Sequence, residues 1–225
     1  MTQDASLDAP LVDSHAHVYT TDMPLSATAW HKPPADATID QYIATLDQHG
    51  VKYAVLSAAS LFDDYNEYSI EATRRHKRLR TTVIVKPTID PYVMRMMKDD
   101  GVVGVRFQWR NVKNLPDITT PEYQKFFRRV RDLDWHVHIN QTADLLAGPI
   151  ATLQAAGVKL VIDHFGHPQR VPSASGRVDA GAFRAGIHHA LDPRVILAAF
   201  GGFRCASSTP RYAVASTIIE LRRLA

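Results

Sequence analysis

Short apolar runs alternate with helical stripes about seven times along this chain, and that alternation limits its fold more than any other feature. Leu11–Tyr19 reads as the first strand, and residues 20–37, rich in Pro, Thr and Ala, as a loop. Thr38 with Gln41 forms a capping box, Ile39, Tyr42, Ile43 and Leu46 keep helical spacing, and Gly50 ends the helix. Val51–Ser57 is a strand, Asn66–Lys77 a helix, and Leu79–Val85 a strand stopped by Pro87. Residues 91–100 are helical, with Val93, Met94 and Met97 as core-filling side chains. Val102–Gln108 follows as a strand, and Thr120 caps a helix that has Pro121 at its first position. Trp135–Asn140 is a strand, a helix runs to Gly157, and Val158–His164 is the next strand. A Pro/Ser/Gly loop at 168–180, a helix to about Leu191, the strand Val195–Phe200 and a final helix through Tyr212, Ile218, Ile219 and Leu224 complete the chain.

Such spacing suits βαβ units around a parallel sheet. Several strands are continuously apolar, as strands covered on both faces should be. A doubly wound sheet and a (β/α)8 barrel both fit the alternation. No composition break marks a second domain, so residues 1–225 read as one domain.

The net charge of +3 is too small to imply nucleic acid, yet it suits a small anionic ligand. The densest basic run, Arg74–Arg80, reads as the solvated end of a helix, where cations complement the dipole. Cys205 is the single cysteine, which excludes an intrachain disulfide and suits a reducing compartment. The first ten residues lack a basic segment followed by an apolar one, and no apolar run is long enough to span a bilayer. The expectation is a cytoplasmic protein with no membrane or nucleic-acid partner.

Polar residues collect at the C-terminal ends of the strands, where α/β folds build their sites. Leu11-Val12-Asp13-Ser14-His15-Ala16-His17 places Asp13, His15 and His17 on one face by strand alternation. Two imidazoles there can ligate a divalent metal or bind an anion. Arg106 shares a face with Gln108, and His136, His138 and Asn140 share another. Val161-Ile162-Asp163-His164-Phe165-Gly166 ends the sixth strand, and Gly201-Gly202-Phe203-Arg204 follows the seventh. Each has a plainer reading: Arg106 as a structural ion pair, His138 as a hydrogen-bonded core histidine. His167 lies just past the sixth strand, near the mouth. Tyr19, Trp30 and His31 either line a pocket or cover the barrel end.

The series VDSHAHVY, GVVGVRFQ, WHVHIN, VIDHFGHP and GGFR, in that order, resembles the amidohydrolase superfamily. Within it the resemblance is to the branch of pyrone dicarboxylate lactonase and related sugar-acid and sulfomuconolactone lactonases. It covers roughly residues 10–224 and implies a (β/α)8 TIM-barrel-like fold and hydrolysis of the ester bond of a small carboxylated lactone. It places His15, His17 and His164 at the reaction centre. These three would also be the ligands if a metal is bound. Arg106 and Arg204 would grip substrate carboxylates, with Arg110 or Lys113 standing in for a further arginine, and His138 and Asn140 would contact substrate. The branch includes metal-free and zinc-dependent members, so the expectation is no obligatory metal, with one zinc ion as the option.

The family's eighth strand carries an Asp that activates water. This chain ends at Ala225, inside the helix expected before that strand, so the barrel is expected to be truncated after the seventh β/α unit. An open edge, self-association through it and slow turnover are the corresponding expectations. Rival readings are a decarboxylase or lactone isomerase on the same barrel, or a non-catalytic module that binds organic anions.

Overall fold

The computed structural model describes residues 12–110 and 112–167 and two further strand segments, 195–198 and 218–219. In chain order the elements are β1 (Val12–Ala16), α1 (Ile39–Gln48), β2 (Tyr53–Leu56), α2 (Glu67–Arg75), β3 (Leu79–Val83), α3 (Pro91–Asp99) and β4 (Val102–Gln108). They continue with α4 (Pro121–Asp132), β5 (His136–Asn140), α5 (Ala147–Ala155), β6 (Lys159–Ile162), β7 (Val195–Ala198) and β8 (Ile218–Ile219). The strands neighbour one another in sequence order. From β1 to β7 every pairing is parallel, and β8 joins β7 antiparallel.

One contact decides between an open sheet and a barrel. Strands β1 and β6 stand five places apart, which in a flat sheet would separate them by roughly 24 Å at about 4.8 Å per strand. Yet His15 Nδ1, on β1, lies 3.5 Å from Asp163 Oδ1, at the end of β6. The sheet therefore curls until its inner face meets itself, as a (β/α)8 wall does. Among the described residues no ladder joins β8 to β1.

Local chemistry sets the helix starts. The Thr38 hydroxyl accepts from Gln41 N–H while the Gln41 amide oxygen accepts from Thr38 N–H, closing the expected capping box. Asp90 and Thr120 cap α3 and α4, each followed by Pro at the first helical position. That ring pre-sets φ and lacks only an N–H with no helical partner. Alternation then sorts the strands. Val105 and Phe107 of β4 and Val137 and Ile139 of β5 pack outward into one core with Phe126, Phe127 and Val130 of α4. Each fully buried aromatic or aliphatic side chain there contributes about 1.5–3 kcal/mol. A second core joins α1 to β2 and β3 through Ile39, Leu46, Ala54, Leu56 and Leu79. The opposite faces of β4 and β5 carry Arg106, Gln108, His136, His138 and Asn140 into the barrel, with Arg106 beside His138 and Gln108 beside Asn140 in register.

Gly104 makes this wall possible. A Cβ there would lie 2.7 Å from the His136 ring and 2.7 Å from its carbonyl oxygen, so only glycine admits the imidazole.

Two expectations change. Ile218–Ile219, expected within a final helix, form a strand on β7. Two adjacent β-branched residues favour the extended backbone, and β7 offers an unpaired edge. The sixth strand stops at Ile162 rather than His164, because Asp163–Gly166 tightens into a 3-10 turn. The 168–180 loop, the helix to Leu191, Arg204 and the rest of the final helix lie outside the described residues. Among the described residues no helix is long and apolar enough to cross a membrane.

Candidate active site

Asp163 is the hub of the polar cluster at the strand ends. It is fully buried, and its Oδ2 accepts from Arg106 Nη2 at 2.8 Å while Oδ1 contacts His138 Nε2. The second Arg106 Nη donates to the Ala58 carbonyl at 2.7 Å. Burial alone would raise the Asp163 pKa, but the His138 and Arg106 contacts overcome it and hold the carboxyl well below its usual range. The plainer reading of Arg106 is thus present: it is buried and in an ion pair.

His15 and His17 meet in front of this hub. Their Nε2 atoms lie 3.2 Å apart, and His17 Nδ1 donates to the Ser57 carbonyl at 2.7 Å. The His15 ring stands edge-on to both His17 and His138, with centroids 4.7 and 5.2 Å away. Burial, then the neighbouring His17, His138 and Arg106, push the His15 pKa well below the ordinary imidazole value. His17 is crowded by protein on its inner side but open to solvent at the mouth; desolvation and then Arg106 lower its pKa, against the Ser57 bond. Both rings are therefore neutral near pH 7, and the His17 Nε2 lone pair faces His15 Nε2.

Alternation grouped Asp13 with these histidines. Instead the β1–β2 register shifts between Asp13 and Ala16, and Asp13 accepts from the Tyr42 hydroxyl of α1 at 2.9 Å. The irregularity re-aims the strand below His15.

His164 lies in the 3-10 turn after β6. Its backbone is left-handed, with φ of 50°, and its half-buried ring leans on His167 at 4.3 Å. His167 is also left-handed, with φ of 43°, and its Nε2 lies 2.8 Å from Asn140 Oδ1. Two non-glycine residues in this region within one turn mark local strain of the kind that gathers at working sites. Arg110 is exposed, and its charge reaches both His164 and His167. Burial and then His164 and Arg110 lower His167 to about 4.

The donor set suits a cation. Ligand atoms of His15, His138 and Asp163 lie within 4.8 Å of one another. Two imidazole nitrogens on one tetrahedral zinc stand roughly 3.3 Å apart, close to the spacing of His15 and His17. Among the described residues this cluster shares only His15 with the expected ligand set of His15, His17 and His164. The His164 ring stands 4.3 Å from that of His167 and still feels the charges of Asp163 and Arg106. Asp163 is the residue that pattern reading undervalued. Its signal was its place, at the sixth strand end beside His164.

The family model for the amidohydrolases matches residues 12–224. The chain belongs to the amidohydrolase family. It is 29% identical over 168 residues to a 4-sulfomuconolactone hydrolase of Rhizobium radiobacter, a match covering 73% of this chain and 54% of the relative. It is 25% identical over 203 residues to the enzyme of that name from Hydrogenophaga intermedia, covering 89% of this chain and 65% of the relative. The chain thus spans less than two thirds of the length of either relative. Among solved structures it resembles a probable 2-pyrone-4,6-dicarboxylic acid hydrolase from Acinetobacter baumannii with citric acid bound. The TM-score is 0.75 and the identity 28%, over 84% of this chain and 69% of that one. A protein of Pseudomonas putida with the same proposed activity matches at a TM-score of 0.72 and 25% identity, over 84% and 67%.

Proposed function

We propose that this amidohydrolase hydrolyses the ester bond of a small carboxylated lactone. The observation that carries the reading is the convergence of His15, His17, His138 and Arg106 on Asp163 at the strand ends. The names of the relatives support the substrate class.

In this reading water attacks the lactone carbonyl carbon. A proton passes from water to a neutral imidazole, and His17 suits that step because its Nδ1–H is spent on Ser57 and its Nε2 carries the lone pair. His15 and His164 polarise the carbonyl oxygen as charge develops on it. The ring C–O bond then breaks, and the departing oxygen takes up the proton, leaving an open-chain acid. Arg106, held by Asp163, supplies fixed positive potential. Asn140, Arg110 and Arg204 receive the substrate's carboxylates, while His138, expected among them, holds Asp163. A divalent ion, zinc by donor type, would be held by His15, His138 and Asp163, and when bound it polarises carbonyl and water. The ion stays optional in this reading, because Asp163 already spends charge on Arg106. A reducing, cytoplasmic setting suits the single cysteine.

The test is steady-state hydrolysis of 2-pyrone-4,6-dicarboxylate and 4-sulfomuconolactone against their neutral esters, after chelation and again with added zinc. Turnover confined to the charged lactones is expected. No turnover of any charged lactone under either condition ends the reading.

A further inference from the structure

We propose that His167 is a positioning residue: it turns the Asn140 amide so that the nitrogen, and not the oxygen, meets an anionic oxygen of the ligand. The proposal rests on the lactone reading for the ligand's identity and on geometry for the rest. His167 Nε2 stands 2.8 Å from Asn140 Oδ1, so Nε2 carries the proton and Oδ1 accepts it. Asn140 is 5% exposed, and its backbone carbonyl is already taken by Trp109 N–H at 3.0 Å. Among the described residues its amide nitrogen has no partner and is not one of the sealed, unpaired atoms, so both its protons remain to be given.

The turn after β6 is what brings the imidazole there. The His167 N–H donates to the His164 carbonyl at 2.9 Å, the backbone turns left-handed at φ 43°, and the ring stacks at a tilt on His164. A left-handed histidine persists only when its surroundings impose it. Arg110 adds positive charge to the same corner, as its effect on both rings shows. Asn140 lies one β5 position beyond Ile139 and shares the inward face with His138. The amide protons, Arg110 and the polar hub thus form one wall. Such a wall favours a carboxylate over a neutral group.

Two measurements test this with the full chain. Long-range 15N–1H spectra of histidine-labelled protein report the His167 tautomer, assigned through its loss in His167→Gln. Calorimetry with citrate as probe compares wild type, His167→Asn, Asn140→Ala and the double variant. Asn tolerates the left-handed backbone but is too short to reach, whereas His167→Gln can still donate. The expected results are an Nε2–H tautomer and citrate binding weakened about ten- to a hundredfold by His167→Asn. Binding should be largely restored in His167→Gln, and His167→Asn should have no further effect once Asn140 is alanine. An Nδ1–H tautomer, or additive losses in the double variant, overturns the positioning role even if charged lactones are hydrolysed. An Nε2–H tautomer in a wild type that neither binds citrate nor hydrolyses any charged lactone overturns the lactone reading and, with it, the ligand half of this proposal.

Discussion

His17 gives its Nδ1 proton to the carbonyl of Ser57, 2.7 Å away, and so turns a lone pair on Nε2 toward His15. Backbone 40 residues along the chain therefore decides which nitrogen of the catalytic candidate is basic.

Replacing His17 with Asn should lower kcat by about 10²–10⁴-fold, the usual cost of a lost general base. Because the residue is open to solvent, the urea midpoint should stay close to that of wild type. A variant that keeps full kcat moves the base role elsewhere.

Arg106→Leu leaves the Asp163 carboxylate buried without its guanidinium. The expected cost is about 3–5 kcal/mol in urea unfolding, and the double variant Arg106→Leu/Asp163→Leu should recover much of it. A single variant as stable as wild type would show that His138 alone suffices to hold the carboxylate.

Acid should destabilise the protein over two overlapping pH windows. His136 is pushed down to about 3, by burial first and then by the charges of His138 and Lys159, and His15 also titrates low. These groups bind fewer protons folded than unfolded, so stability falls as pH drops below about 6.5, the unfolded histidine value. It continues to fall until the folded groups titrate. Asp163, held low, adds a further loss below about 3.9. Urea midpoints at several pH values should decline through the first window, and His136→Gln should flatten that decline. A midpoint constant between pH 7 and pH 4.5 would contradict the neutral, buried imidazoles.

Gly104→Ala should destabilise the protein by about 1–3 kcal/mol, since its Cβ would meet both the ring and the carbonyl of His136 at 2.7 Å. Adding His136→Ala should recover only part, because the carbonyl contact survives. Full recovery in thermal melts would place the whole clash on the ring.

Much of this was legible along the chain. Val102–Gln108 is a strand with the bounds that its apolar run suggested, and Thr120-Pro121 begins α4 as its capping chemistry required. Alternation put Arg106 with Gln108, and His138 with Asn140, on the inner wall. These are properties of neighbours a few residues apart, where period and capping act directly. What the tertiary structure alone decided involves partners far apart in sequence. The barrel curl joins Asp163 to His15, Arg106 and His138, and so makes a hub of a residue that its local sequence marks only as polar. A register shift sends Asp13 to Tyr42, and a left-handed turn sends His164 toward His167. Ile218–Ile219, helical by spacing, becomes a strand because β7 presents an edge. Local preference differs by only about 1 kcal/mol per residue between such states, and a long-range partner is enough to override it.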